Sequence, residues 1–166
     1  MKVTVKEIKG VTLTARHGYY APKHSADAAT DAKEEISAAV FSRDEISDIP
    51  IEMHTEFFKP TSQSAELTVL ARVDLKSLHF RKLDGRSRDT LSSVSAVFDR
   101  NGILVSAVQK QIDLQLKDET FSARIANGVL VKTSFDVPPG SYIVRVVVRD
   151  SEGQKMAAHN TAVEIP

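Results

Sequence analysis

The chain has 166 residues, enough for one ordinary domain with an appendage and too few for two full cores. Lys+Arg and Asp+Glu number 22 each, a balance that argues against the one-sided basic field of nucleic-acid or anionic-membrane binding. Cysteine is absent, which removes disulfides, thiolate nucleophiles and cysteine zinc sites together, and no apolar run approaches the ~18–20 residues of a membrane span.

Residues 1–22 open the chain with two β-prone runs around Gly10, Lys2 to Lys9 and Val11 to Arg16. A two-stranded hairpin is marginal alone, so this one is expected to lean on the rest of the chain, on a preceding domain or on a second copy. Tyr19 and Tyr20 are the candidate anchors of the crossing that follows. Residues 23–49 form a helical linker: Ala32, Ile36, Ala39 and Val40 fall on one stripe, with Asp27 or Thr30 as its cap. Ser42-Arg43-Asp44-Glu45 has the form of a capping box and predicts a second short helical turn, with Pro50 as the stop.

From residue 50 to 166 the period changes to two. Ile51, Met53, Thr55 and Phe57 alternate with polar residues, as do Leu67, Val69, Ala71, Val73 and Leu75. Val94, Ala96 and Phe98 precede an Asp99-Arg-Asn-Gly102 turn, after which one long run ends at Leu116. Asp118–Asn127 reads as a short helix or a loop, with Gly128 as its stop. Val129 to Val137, Tyr142 to Val148 and a last strand ending at Ile165 complete the set. Roughly seven strands parted by Gly, Pro, Asn and Asp turns predict a mainly β fold. The expected architecture is an antiparallel immunoglobulin- or fibronectin-III-like β-sandwich with an N-terminal hairpin and a short helix. Val69, Phe135 and Val146 are the expected core.

The candidate sites are sparse. His17, His24, His54, His79 and His159 lack the spacing that sets two ligands on one face. Glu52 and Glu56 flank His54, but residues four apart on a strand are too distant to share a proton. Asp99–Gly102 and Asp150–Gly153 have the residues of hairpin turns and lack the further acids of a calcium loop. Arg81, Lys82, Arg86 and Arg88 surround Asp84-Gly85, a strong hairpin signal. They read as an anion-binding finger or as the charged edge that keeps a hairpin soluble. Tyr142 is the expected corner tyrosine, its hydroxyl bonded to backbone. No catalytic, cofactor-binding or metal-binding residue is assigned.

Three stretches carry a family resemblance: Ala15-Arg16-His17-Gly18-Tyr19-Tyr20-Ala21-Pro22; Asp48-Ile49-Pro50-Ile51; and Pro138-Pro139-Gly140-Ser141-Tyr142 with Val144 to Asp150, Gly153 and the closing Val163-Glu164-Ile165-Pro166. Together they resemble the C-terminal region of von Willebrand factor type A-related proteins of acidobacteria. The resemblance implies that residues 1–22 are the tail of a preceding domain, that 50–166 are a C-terminal sandwich, and that the parent is exported or cell-envelope bound. The Asp-x-Ser-x-Ser metal loop of such domains has no counterpart here. The expected function is a non-catalytic binding or spacer module acting through protein–protein contacts, with a partner or with the preceding domain of the same parent. Two other classes stay open: an enzyme accessory domain or small hydrolase assembled from loop residues, and an oligomerisation domain using residues 1–22.

Overall fold

The computed structural model describes residues 28–166. The expected tail at 1–22, the anchors Tyr19 and Tyr20, the histidines His17 and His24 and the cap Asp27 lie outside the described residues. Helix α1 (Ala28–Phe41) comes first, followed by β1 (Ile46–Ser47), β2 (Ile51–Phe58) and β3 (Ala65–Val73). A 3-10 turn (Leu75–Ser77) leads to β4 (Arg81–Leu83), β5 (Arg86–Asp99) and β6 (Leu104–Lys117). Helix α2 (Asp118–Asn127) then precedes β7 (Val129–Val137), β8 (Gly140–Asp150) and β9 (Met156–Ile165).

Every pairing among the described strands is antiparallel. One sheet runs β1-β9-β8-β5-β4 with β6 also on β5, and the second runs β2-β3-β7. The fold is therefore mainly β, in two antiparallel sheets packed as a sandwich. Alternation explains the layer between them. Leu67, Val69 and Val73 of β3 and Val131, Phe135 and Val137 of β7 face Leu91, Val97, Val144, Val146 and Val148 of the larger sheet. The three residues chosen as core from the sequence are inside, Val69 at 1%, Phe135 at 4% and Val146 at 0% exposure.

The larger sheet is buried on both sides at its centre. Val94, Ala96 and Phe98 of β5, Val147 of β8 and Ala158 of β9 turn outward and meet Ile36, Ala39 and Val40 of α1. This second layer accounts for the consecutive buried residues 93–98 of β5 and 144–148 of β8, which a sheet wet on one face would not show. The sequence stripe of α1 was legible, and its partner surface was the outer face of these strands.

Several local expectations need correction. Thr30 lies inside α1, which begins at Ala28, so it is no cap. Ser42 starts no second helical turn: its Oγ accepts from the Asp44 amide at 3.1 Å, and the chain extends into β1. Ile49, fully buried between the sheets, gives the extended path its driving force. β1 pairs with β9, so the larger sheet begins at Ile46, before residue 50. Leu75 is buried as expected, but it sits in the 3-10 turn, where the Asp74 carboxylate accepts from the Lys76 amide. Residues 118–127 are a helix, stopped at Gly128, whose φ of 68° suits glycine. A Cβ there would also press within 2.7 Å of the Val73 carbonyl oxygen.

Candidate interaction surface

The hairpin of β4 and β5 forms as its Asp-Gly turn predicts, with Asp84 at φ 53° and Gly85 at φ 68°. It brings Arg81, Lys82, Arg86 and Arg88 onto one short ribbon. Three of these charges already face carboxylates: Arg81 with Glu152 at 3.7 Å, Lys82 with Asp118 at 3.5 Å and Arg88 with Asp84 at 3.7 Å. Such exposed pairs contribute at most about 1 kcal/mol each. They also lower the field an incoming anion would meet. Arg86 is half-buried between Leu83 and Lys117 in the register.

The remaining candidates are dispersed. His54 is exposed on β2 between the exposed Glu52 and Glu56, and His79 is exposed beyond the 3-10 turn. His159 lies on β9. It pairs with Val146 and is half-buried on that residue's face. Among the described residues no group of three His, Asp or Glu side chains converges as metal ligands. The two calcium-like turns use their acids internally. Asp99 Oδ1 accepts from the amides of Asn101 and Ile103, and these bonds, the Ile103 bond foremost, hold its carboxyl below the usual range. Asp150 accepts from the amides of Gly153 at 2.7 Å and His79 at 3.1 Å. The Tyr142 hydroxyl donates to the Pro138 carbonyl at 2.6 Å, the corner bond expected of it.

Periodicity did not reveal two buried polar groups. The first is Arg145, 2% exposed on the helix-covered face of β8. Its Nε donates to the Ala39 carbonyl at 2.6 Å, Nη1 to Asn160 Oδ1 and Nη2 to the Asp44 carbonyl. A helix leaves its last carbonyls without intrahelical donors, and the planar guanidinium supplies one of them here. Burial pulls the Arg145 guanidinium below its ordinary value, and the charges of Asp44 and Glu45 pull it back. Arg149 adds an ion pair to Glu35 at 2.9 Å farther along the helix. Arginines set within the Val-rich run of β8 were the available signal, because a charge on a face that must be buried needs a dedicated partner.

The second group is the carboxyl pair Asp89 and Asp150, at 3% and 0% exposure. Asp89 Oδ1 accepts from the Thr90 amide at 2.7 Å, while Oδ2 is enclosed without a donor among the described residues. Burial first, and the neighbouring Asp150 charge second, push the Asp89 carboxyl up to about 6.

The open surface lies beside α1. At its C-terminal end Phe41 is 64% exposed and stands edge-on to Phe98, ring centres 6.0 Å apart. A cavity of about 420 Å³ opens there between Phe41, Arg43, Phe98, Arg100 and Ile143, with Arg145 and Asn160 in its lining. A second, of about 300 Å³, runs along the other flank of the helix past Lys33, Ser37, Leu104 and Gln109. Exposed Ile103, Leu104 and Val105 extend the apolar strip into the β5–β6 turn. Such a rim of apolar and cationic side chains can hold a partner surface, and among the described residues it brings no nucleophile–base pair together.

No protein-family model and no curated protein sequence matches the chain. Among solved structures, a glycoside hydrolase family 2 β-glucuronidase matches over 68% of this chain and 11% of its own, at 16% identity and a TM-score of 0.46. A Bacteroides uniformis β-glucuronidase matches over 69% and 13%, at 13% identity and a TM-score of 0.44. A glycosyl hydrolase family 2 member from Bacteroides cellulosilyticus matches over 72% and 16%, at 14% identity and a TM-score of 0.48. The chain thus spans a small fraction of each of these enzymes.

Proposed function

We propose that this chain is a non-catalytic binding and spacer module of a larger exported or cell-envelope protein, working through protein–protein contacts. One observation carries the reading: α1, the element through which the preceding chain enters, is fastened to the sheet by Arg145 and Arg149 and flanked by an open apolar strip. A helix so fixed hands on a defined direction from whatever precedes it, as a spacer must. The export element of the reading rests on the resemblance of residues 15–22, 48–51 and 138–166 to von Willebrand factor type A-related proteins. In the intact parent, Tyr19 and Tyr20 would anchor the joint to the preceding domain, and residues 1–22 would offer strands to it or to a second copy.

A small hydrolase working by paired carboxyls would need them accessible, and among the described residues the buried couple is Asp89 with Asp150. Both carboxyls are enclosed and engaged by backbone amides, and neither lines the cavities beside α1. The binding reading is therefore preferred. Cell fractionation of the full-length gene product tests it. An envelope or secreted product carrying a domain ahead of residues 1–22 is expected, and a free-standing cytoplasmic product would overturn the reading.

A further inference from the structure

The cavity at the C-terminal end of α1 has a chemistry of its own. Its apolar walls are Phe41, Phe98 and Ile143, the first and last well exposed. Its rim is cationic from two sides, Arg43 on the connection after α1 and Arg100 in the β5–β6 turn. Gly102 narrows that turn: a Cβ on it would lie 3.7 Å from Arg43 Nη2, so the guanidinium rests over the turn. Neither Arg43 nor Arg100 makes an ion pair with a described residue. Asp99 is held by the amides of its own turn and lies close enough to Arg100 to feel its charge without pairing with it, and Asp44 accepts from the Ser42 hydroxyl. Arg145 in the lining donates to Ala39, Asn160 and Asp44, so it belongs to the wall.

We propose that this cavity docks a peptide segment of a partner protein in which a large apolar side chain stands next to an acidic one. The apolar group enters between Phe41 and Ile143, and the carboxylate lies across Arg43 and Arg100. The proposal rests on the binding-module reading and deepens it by naming the partner's chemistry. Two forked donors at the rim match a carboxylate in plane, whereas a wholly apolar ligand would leave both without a direct ion-pair partner among the described residues. A cavity of about 420 Å³ falls in the size range of small-ligand and side-chain pockets. An aromatic and an arginine at the centre of a contact are also the residue types that dominate binding energy.

Panning a random peptide display library on the full chain tests the proposal. Enriched peptides should carry Asp or Glu within about two residues of a large apolar residue. Their Kd should weaken about tenfold or more in the double variant Arg43→Ser/Arg100→Ser and in Phe41→Ser, and hold in Arg81→Ser/Lys82→Ser. The substituted side chains are exposed, and unchanged melting temperatures verify that the variants fold. Failure to enrich any peptide overturns the proposal. So do peptides whose binding survives the double substitution, which would leave the module reading standing with its contact on another surface. Deleting residues 1–16 supplies the last outcome: binding that appears only after the deletion means this chain's own N-terminal segment fills the cavity, and the partner proposal falls.

Discussion

Asp89 lies opposite Leu114 in the β5–β6 register, its carboxyl turned inward beside that of Asp150. Two carboxylates enclosed together repel, and a proton on one of them converts the repulsion into a hydrogen bond. With a folded-state value of about 6 against the ordinary 3.8, Asp89 binds a proton in the folded chain that the unfolded chain has already lost between those pH values. Stability contributed by this group is therefore present below about pH 4, falls as pH rises through 6, and levels off above. Asp89→Asn supplies a permanent amide donor and should flatten that slope. In urea melts the variant is expected to match wild type near pH 4 and to exceed it at pH 7.5 by up to roughly 3 kcal/mol. Equal stabilities at both pH values would show that the pair carries no strain. Neighbouring Gly153 shows how tight the turn is, since a Cβ there would lie 2.3 Å from Asp150 Oδ2.

At the scale of elements, α1 depends on β8 more than on its own propensity. A helix of this length is marginal in isolation, and three of its side chains are buried. Arg145 adds what propensity lacks, a donor for the Ala39 carbonyl and a bond to the Asp44 carbonyl that fixes the chain leaving the helix. Arg145→Ala would leave both carbonyls and the Asn160 amide oxygen without donors under the helix. The expected loss is roughly 2–4 kcal/mol in denaturant melts. Arg145→Lys keeps the charge without the three-way fork and should recover less than half of it. If alanine costs under about 0.5 kcal/mol, water replaces the guanidinium and the clamp is incidental. The hairpin arginines provide a contrast: Arg81 and Lys82 pair in the open, and removing either should change stability little.

For the molecule as a whole, the sandwich was legible because β3, β7 and the inner face of β8 keep strict alternation, and because Asp84-Gly85 and Asp99–Gly102 mark their turns. The short strands β1 and β4 were not, since two or three residues carry no period. Nor was the Asp89–Asp150 pair, which exists only through the β5–β8 register and the fold of the turn after it. The stripe on α1 announced that the helix needed an apolar surface without saying which one. Its position divides the apolar interior unequally, a large cluster between the sheets and a small one under α1. Unequal layers should open separately. The small layer rests on three helix residues and two arginines, so α1 is expected to unfold locally at a free energy below that of the global transition. Phe135→Ala raises the energy of the native state and of the α1-open state alike, because both keep the inter-sheet core. Native-state hydrogen exchange should then show the β3 and β8 amides losing about 3–5 kcal/mol of protection while the α1 amides keep theirs. Arg145→Ala raises the native state alone, so protection should fall in α1 and in the strands together. If Phe135→Ala lowers α1 protection by as much as it lowers that of β3, helix and sandwich are one cooperative unit, and separate opening of the helix layer is ruled out.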